Sequence, residues 1–276
     1  MPRPTLFPVA IALLAIPSIG HAAVPAEGWR DTGRRWGQLG HRLVAAIAWD
    51  HLTPRARESA TVLLAGEPLG DASFWADRIR NERREGSPWH YVNIPAGARA
   101  WDSAAWCRGG NCVVGAVKRF RTVVGDPGTP ARDRSEALKY LIHFVGDLHQ
   151  PLHVGDRGDR GGNDVKVFWR GRETNLHAVW DGDLLIAWSV SEGRYLQSLR
   201  RRIERMTPEE RDRMASGSVE GWAMDGSAFS RGVVYQTPAG GEVPPEYLRA
   251  AGPVLDLVLI QAGLRLARMI NEALAE

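Results

Sequence analysis

Residues 141–153 read LIHFVGDLHQPLH, and this stretch is the densest group of metal-ligand side chains in the chain. His143 and Asp147 are four positions apart, so on a helix both side chains project from one face. Pro151 cannot continue that helix and turns the chain, so we expect His153 to approach from a different direction. Imidazole and carboxylate groups placed in this way are the ligands expected of a catalytic zinc site.

Apolar residues recur with helical spacing over most of the remaining chain. The pattern predicts helices over residues 43–50, 54–66, 74–82, 112–124, 177–188, 193–205, 208–214 and 253–275. Ser135 is predicted to be the N-cap of the helix that carries His143. Residues 217–226 and 238–245 are predicted to be loops, and residues 165–176 a small hairpin. Because the sequence contains no repeat, low-complexity tract or linker, we expect a single, mainly α domain.

The first 22 residues have the features of a secretory signal peptide. Arg3 supplies a positive charge, residues 7–19 are apolar but too short to cross a bilayer, and Gly20 and Ala22 occupy the −3 and −1 positions. Cleavage there would leave residues 23–35 as a pro-segment or N-terminal extension. A retained membrane anchor is the alternative, but no second long apolar run is evident. We therefore expect an exported protein, either periplasmic or secreted.

The cysteine pair and the charge balance agree with export but do not identify a function. Cys107 and Cys112 are the only cysteines, and in an oxidising compartment they are expected to form a disulfide. A zinc site made of these two thiols is the weaker alternative, since no histidine is near them in sequence. The net charge is +3 and comes almost entirely from arginine, which suits phosphate recognition but does not by itself indicate nucleic-acid binding.

Other candidate ligands are spread along the chain. His41, Asp77 and His90 each lie close to tryptophan in sequence, and His177 and Asp181 form a second pair four positions apart. A single histidine beside tryptophan is more often a packed residue than a ligand, and such a helical pair is more often surface electrostatics. Their combination with residues 143–153 is what favours a metal centre.

Taken together, these motifs resemble the S1/P1 nucleases, a family of zinc-dependent enzymes. The matching segments are WGxxGH at 36–41, WADxxR at 75–80, HY at 90–91, the 143–153 stretch, GGN at 161–163, HxxxD at 177–181 and AGLRLA at 262–267. The ordered set covers residues 36–276, and it implies one helical domain of the phospholipase C/P1 nuclease type with a small β-hairpin.

The resemblance implies three zinc ions with defined ligands. The first ion would be held by Asp77, His90, His143 and Asp147, the second by His153, His177 and Asp181, and the third by His41, Asp147 and the backbone nitrogen and oxygen of Trp36. His149 matches a position that is not a usual ligand, so we expect it to make a supporting hydrogen bond. Asp147 would then be the carboxylate that bridges two ions.

The Trp36 site requires a free amine, which an internal peptide nitrogen cannot supply. Arg34 and Arg35 directly precede Trp36. We therefore hypothesise that a trypsin-like protease removes residues 23–35 after signal-peptide cleavage.

The resemblance also assigns catalytic and substrate-binding roles. Asp77 would orient a water activated by zinc, while Arg80 and Asn163 would bind the phosphate. Tyr91 would stack on a base, and Asn93 stands where some relatives have an acidic base-contacting residue. The expected reaction is hydrolysis of single-stranded DNA and RNA to 5′-nucleotides, with additional 3′-nucleotidase activity, by a monomer without a stable protein partner or membrane contact.

Two alternatives remain at this point. A zinc-dependent phospholipase C has a related fold and cluster, but its second HxxxD-like motif typically ends in Glu rather than Asp181. A non-catalytic zinc-binding protein would have no evident need for Arg80, Tyr91 and Asn163 beside the ligands. Hydrolysis assays with and without chelator would separate the three possibilities.

Overall fold

The structure is a computed structural model in which residues 37–189, 191–237 and 239–275 are described. The predictions for the signal peptide, residues 23–35 and Trp36 lie outside these ranges. The described residues form fourteen α-helices: α1 Gln38–Asp50, α2 Pro54–Leu63, α3 Leu69–Ala72, α4 Trp75–Ile79, α5 Ser103–Trp106, α6 Val113–Gly125, α7 Ala131–Leu148, α8 Pro151–Val154, α9 Leu176–Ala178, α10 Leu184–Trp188, α11 Glu192–Glu204, α12 Pro208–Ala215, α13 Val219–Gly232 and α14 Pro245–Ala273.

Two small strand pairs and several tighter or wider turns complete the described chain. The strands are β1 Ile94–Pro95, β2 Gly155–Asp156, β3 Lys166–Trp169 and β4 Arg172–Asn175; 3-10 turns span Arg84–His90, Arg108–Gly110 and Val234–Gln236, and a π-helical turn spans Val179–Asp183. β3 and β4 are antiparallel and pair Lys166 with Asn175 and Trp169 with Arg172, which confirms the predicted hairpin. The fold is mainly α, as expected.

Local capping explains several helix starts. Thr53 accepts a hydrogen bond from the Ala56 amide, and Pro54 takes the first helical position of α2. The prediction for α7 was wrong, because the helix begins at Ala131 after Pro130, and Ser135 lies inside its first turns. A proline that fixes φ near its helical value can start a helix without a side-chain cap.

The predicted loop over residues 217–226 was also wrong. Ser218 accepts a hydrogen bond from the Gly221 amide and caps α13, which continues to Gly232. Gly226 lies inside this helix because α8 packs closely against it: a Cβ at this position would lie 2.7 Å from Cγ2 of Val154. Gly226 therefore permits close helix packing and does not mark a loop.

The core is built around α7 and α14. Helix α7 is buried from Leu138 to Leu148 except at Lys139 and packs against α6, α1 and α14, while α14 packs along α1 and α12. Contrary to the sequence-based expectation, α14 contains an apolar window long enough to cross a membrane, with a mean hydropathy of 1.4. That window is 72% buried inside the protein, as in a core helix of a folded domain.

The short β1–β2 pair matters for the site. β1 and β2 are parallel and pair Ile94 with Gly155 and Pro95 with Asp156. Just before this pair, the Val92 amide donates to the carbonyl oxygen of His153 over 2.8 Å. The segment after His90 is thereby fixed alongside the segment that carries His153.

Candidate metal centre

The end of α7 and the start of α8 place three of the predicted side chains together. His143 and Asp147 lie on one face of α7 and are almost completely buried. Helix α7 ends at Leu148, and Pro151 starts α8 with a new direction, so His153 approaches Asp147 from the other side. This is the arrangement that the spacing and the proline predicted.

Asp147 lies at the centre of four histidines. Its Oδ2 is 2.9 Å from Nδ1 of His90 and 3.0 Å from Nε2 of His143. Its Oδ1 is 3.1 Å from Nδ1 of His153 and 3.5 Å from Nε2 of His41. The two oxygens of one carboxylate therefore face different sets of imidazoles.

The potential ligand atoms form three groups, each with its atoms within 4.8 Å of one another. The groups are Asp77, His90 and His143; His41, His143 and Asp147; and His153, His177 and Asp181. The last group has the same members as the expected second zinc site. The first group lacks the Asp147 expected at the first site, and the second group includes His143 in addition to the expected His41 and Asp147. Both differences arise because His143 and Asp147 lie between neighbouring groups. Trp36 lies outside the described residues.

His41 gives a structural test of whether a metal fits. The residue is 2% exposed, yet neither ring nitrogen has a hydrogen-bond partner within the described ranges. Nδ1 of His153 also makes no hydrogen bond of acceptable angle, although Oδ1 of Asp147 lies only 3.1 Å away. Buried polar atoms are almost always paired, since an unpaired one costs about 1–3 kcal/mol. Orphaned imidazole nitrogens beside carboxylates fit a cation bound by nitrogen and oxygen, such as zinc.

The ring of His41 is held in place by packing. It stacks on the ring of His143 with centroids 4.1 Å apart. On another side it lies over Gly146, where a Cβ would be only 2.6 Å from Nδ1 of His41. The glycine in the last turn of α7 is therefore required for the close approach of α1.

Outer contacts orient several of the ligand side chains. Nδ1 of His143 donates to the Ser73 carbonyl oxygen over 2.8 Å, and Nδ1 of His177 donates to the Gly161 carbonyl oxygen over 2.7 Å. Each bond fixes the tautomer and leaves Nε2 facing the carboxylates. Nε2 of Gln150 donates to Oδ1 of Asp181 over 2.6 Å, so the buried amide holds that carboxylate in position.

His177 and Asp181 come together through an irregular helix. The predicted continuous helix over residues 177–188 consists of α9, the π-helical turn and α10. Nε2 of His177 is still 3.3 Å from Oδ2 of Asp181 across this turn. Inserted π-turns of this kind occur frequently at functional sites because they redirect side chains without ending the helix.

The charges within the cluster shift the pKa values of its members. Burial alone would lower the pKa of His143, but Asp147 and Asp77 outweigh it and raise this pKa to about 8. Burial would likewise lower the pKa of His153, but Asp181 and Asp147 raise it to about 10. Burial opposes ionisation of Asp147, yet His143 and His153 hold the pKa of this carboxyl well below its usual range. In the absence of a cation, protons on His143 and His153 thus balance the carboxylates.

His149 belongs to a different network. Its Nδ1 donates to the Val145 carbonyl oxygen over 2.7 Å, and its Nε2 lies 2.9 Å from Nη1 of the buried Arg265. Burial and the Arg265 charge lower the pKa of His149 to about 3. The residue is therefore a neutral acceptor for α14, and both of its nitrogens are already used.

The predicted substrate-binding residues lie at the rim of the cluster. Tyr91 is 41% exposed and Asn93 is exposed, whereas Val92 and Ile94 between and after them are buried. The strand-like alternation turns the tyrosine and the asparagine outward directly after the candidate ligand His90. They form an exposed shelf that starts at the metal centre.

The two predicted phosphate-binding residues are placed differently. Arg80 follows α4, and its charge is close enough to contribute to lowering the pKa of His90, for which burial is the main cause. Asn163 is exposed, and its side-chain amide donates to the Arg160 carbonyl oxygen of its own turn. It lies two residues after Gly161, which contacts His177, so the turn is at the cluster while the side chain points to its own loop.

Sequence reasoning did not identify the supporting roles of Ser73, Gln150 and Arg265. Arg265 carries a signal, since it is a charged residue within the apolar stretch of α14, and Gln150 lies within the histidine-rich stretch 143–153 directly before Pro151. Ser73 acts through its backbone carbonyl, which leaves no trace in the residue type. The predicted disulfide between Cys107 and Cys112 is present.

Comparison with known proteins supports the same assignment. The family model described as S1/P1 Nuclease matches residues 36–275. Endonuclease 2 of Arabidopsis thaliana is 30% identical over 261 residues, which cover 86% of this chain and 89% of that protein. Nuclease P1 of Penicillium citrinum is 28% identical over 86% of this chain and 97% of its own length, and Nuclease S1 of Aspergillus oryzae is 24% identical over 97% of each chain. The chain therefore belongs to the S1/P1 nuclease family, whose members are zinc-dependent phosphodiester hydrolases.

Proposed function

We propose that this protein is an exported endonuclease that hydrolyses single-stranded DNA and RNA to 5′-nucleotides with bound zinc, and that it also has 3′-nucleotidase activity. The observation that carries the proposal is the buried cluster around Asp147, where three groups of ligand side chains meet. The orphaned nitrogens of His41 and the family membership support it. Export is supported by the disulfide, which persists in oxidising compartments.

The proposed ligand sets follow the resemblance and the observed groups. Asp77, His90, His143 and Asp147 would hold one ion, and His153, His177 and Asp181 a second. A third would be held by His41, Asp147 and the amine and carbonyl of Trp36. The Gly37 amide donates to the carbonyl oxygen of Asp181 over 2.8 Å, so the described chain begins at the cluster. This contact supports a ligand role for the preceding residue.

A free amine at Trp36 requires cleavage of the Arg35–Trp36 bond. We propose that a protease specific for arginine makes this cut after export. Intact-mass measurement of the active exported protein is expected to show a chain that begins at Trp36 and carries three zinc ions. A fully active protein that still begins near Ala23 would contradict this processing step, whereas the hydrolase proposal would stand.

The residues of the chain supply orientation, charge and exclusion of water. Bound zinc would lower the pKa of a water molecule and offset the negative charge that develops on the phosphoryl group. The Asp77 carboxylate accepts a hydrogen bond from the attacking water and so directs it at phosphorus. The Arg80 guanidinium neutralises a phosphate oxygen, and the Asn163 amide donates to another once it leaves its own turn.

The exposed shelf accounts for the preference for single strands. A base that leaves its stack can lie on Tyr91 while its phosphate reaches the buried cluster beyond His90. Stacking of this kind contributes about 1–3 kcal/mol per base and depends little on base identity. A paired base in a duplex is not free to take this position, so duplex substrates are expected to be cleaved slowly.

Hydrolysis assays with matched histidine variants test the proposal. His41→Ala removes a ligand whose nitrogens are otherwise unpaired, whereas His51→Ala changes a histidine at the end of the same helix α1 but outside the ligand groups. The wild type and His51→Ala are expected to cleave single-stranded DNA and RNA until chelator is added, and His41→Ala is expected to be at least a hundredfold slower.

The substrates in the same assay separate the alternatives. Turnover of phosphatidylcholine but not of nucleic acid would replace the nuclease proposal with a phospholipase C. Another outcome is a protein that begins at Trp36 and carries its metal but turns over neither substrate in a chelator-sensitive way. That result would favour a non-catalytic zinc-binding protein.

A further inference from the structure

A second feature of the molecule lies outside the ligand groups. A cavity of about 550 Å³ opens between α5, the loop closed by the Cys107–Cys112 disulfide (the disulfide loop) and the first two turns of α6. Glu220 of α13 closes one side. Ligand pockets commonly measure roughly 300–1,000 Å³, so this cavity has room for one nucleotide unit. Among the described residues, none assigned to the metal centre lines this cavity.

The wall of this cavity is connected to the exposed shelf formed by Tyr91 and Asn93. The Val113 amide at the start of α6 donates to the carbonyl oxygen of Tyr91 over 3.1 Å, and the next residue, Val114, lines the cavity. Nε1 of Trp89 also donates to Oδ1 of Asn111 in the disulfide loop over 2.9 Å. The chain on either side of His90 is therefore tied to the loop that forms the cavity.

The lining combines an aromatic ring with an uncompensated cation. Trp101 is partly buried and held by an edge contact with Trp106, with ring centroids 5.7 Å apart. Arg108 is exposed, and its guanidinium makes no hydrogen bond or ion pair within the described part of the chain. Lys118 differs, since its Nζ is paired with Glu220 over 2.7 Å. The free positive charge of the cavity is therefore that of Arg108.

The loop that carries Arg108 is held rigidly against α6. The disulfide joins Cys107 to Cys112, and a Cβ at Gly115 would lie 2.1 Å from the Gly110 carbonyl oxygen. The loop and the helix thus approach each other as closely as a glycine allows. A site fixed in this way loses little conformational freedom when a ligand binds.

We propose that this cavity is a second nucleotide subsite, which takes a unit of the single strand beyond the one on Tyr91. The base stacks on Trp101, and the phosphate pairs with the guanidinium of Arg108. The proposal rests on the proposed nuclease function, and it predicts that affinity rises with substrate length once the strand reaches the cavity.

A length series measures this directly. Trp101→Ala and Arg108→Ala are expected to raise KM for single-stranded octanucleotides roughly tenfold and to leave kinetics on dinucleotides unchanged. Arg108→Ala loses one phosphate contact. The slope of log affinity against log salt concentration for octanucleotide binding should therefore become shallower by about 0.7. Arg213→Ala, an exposed arginine on α12, is the matched control and should behave like the wild type.

The outcomes separate this proposal from the function on which it rests. A wild type without chelator-sensitive cleavage at any length contradicts the nuclease function itself. An active wild type whose two variants match it at all lengths, or lose equal activity at all lengths, overturns the subsite. Trp101→Phe keeps an aromatic ring, so it should restore the octanucleotide KM if stacking is the cause.

Discussion

The substitution Gly146→Ala tests whether the His41 ring needs the space that the glycine leaves on α7. A Cβ at residue 146 would lie 2.6 Å from Nδ1 and 3.0 Å from Cε1 of His41, where ordinary contact begins at 3.4 Å. The imidazole would have to move away by about 0.8 Å to restore that contact. It cannot do so freely, because it is buried and stacked on His143.

The effect on metal binding should exceed the effect on folding. Alanine gains up to about 1 kcal/mol over glycine inside a helix, while overpacking costs roughly 1–3 kcal/mol, so the two partly cancel in the free energy of unfolding. Zinc–ligand distances tolerate only about 0.2 Å, which is well below the required displacement. We expect zinc affinity at the His41 group to fall roughly 10–100-fold and hydrolysis to fall with it.

The assay compares zinc content in buffered zinc solutions, the midpoint of thermal unfolding and the rate of single-strand cleavage. Gly193→Ala is the matched control, because it makes the same change inside α11 and its Cβ meets nothing within 4 Å. The control should keep its zinc and its rate. A Gly146→Ala protein with wild-type zinc affinity and wild-type turnover would refute the idea that His41 needs this space.

Three further outcomes are expected. Asp147→Asn should abolish most zinc binding and activity. His149→Ala should keep its zinc and lose about 1–3 kcal/mol of stability, because a buried Arg265 donor is left unpaired. Metal analysis and thermal unfolding distinguish the two variants. In chelator-treated protein the raised pKa of His153 stabilises the fold fully below pH 6.5, and that contribution is lost as pH rises through about 10. The gap in melting temperature between wild type and His153→Gln should shrink over this range, and a constant gap would contradict the shifted pKa. Cys107→Ser with Cys112→Ser should lower the free energy of unfolding by roughly 2 kcal/mol, as measured by denaturant titration, because the closed loop is short.

Local spacing predicted the part of the site that lies on one stretch of chain. The four-residue interval between His143 and Asp147 and the break at Pro151 each follow from backbone geometry, and the structure shows both. The hairpin was predictable for the same reason, since strand alternation and a tight turn are encoded within a few residues.

Other features depend on contacts between distant segments and were missed. Gly226 looks like part of a loop until the neighbouring Val154 is known, so α13 was read as irregular. The bond from Arg265 to His149 joins residues 116 positions apart, and no local pattern contains it. The start of α7 was misplaced because Ser135 is a good cap in isolation, while Pro130 had already set the helix direction.

The position of Asp147 has a consequence for how the enzyme would be loaded with metal. A carboxylate whose two oxygens serve different ligand groups couples those groups, because an ion at one side fixes the oxygen that the next ion requires. An enzyme of this kind would bind its zinc ions cooperatively. At a low zinc concentration, most molecules would then be either fully loaded or empty, and few would be partly loaded. Its activity would then follow zinc supply steeply, like a threshold, instead of declining in proportion.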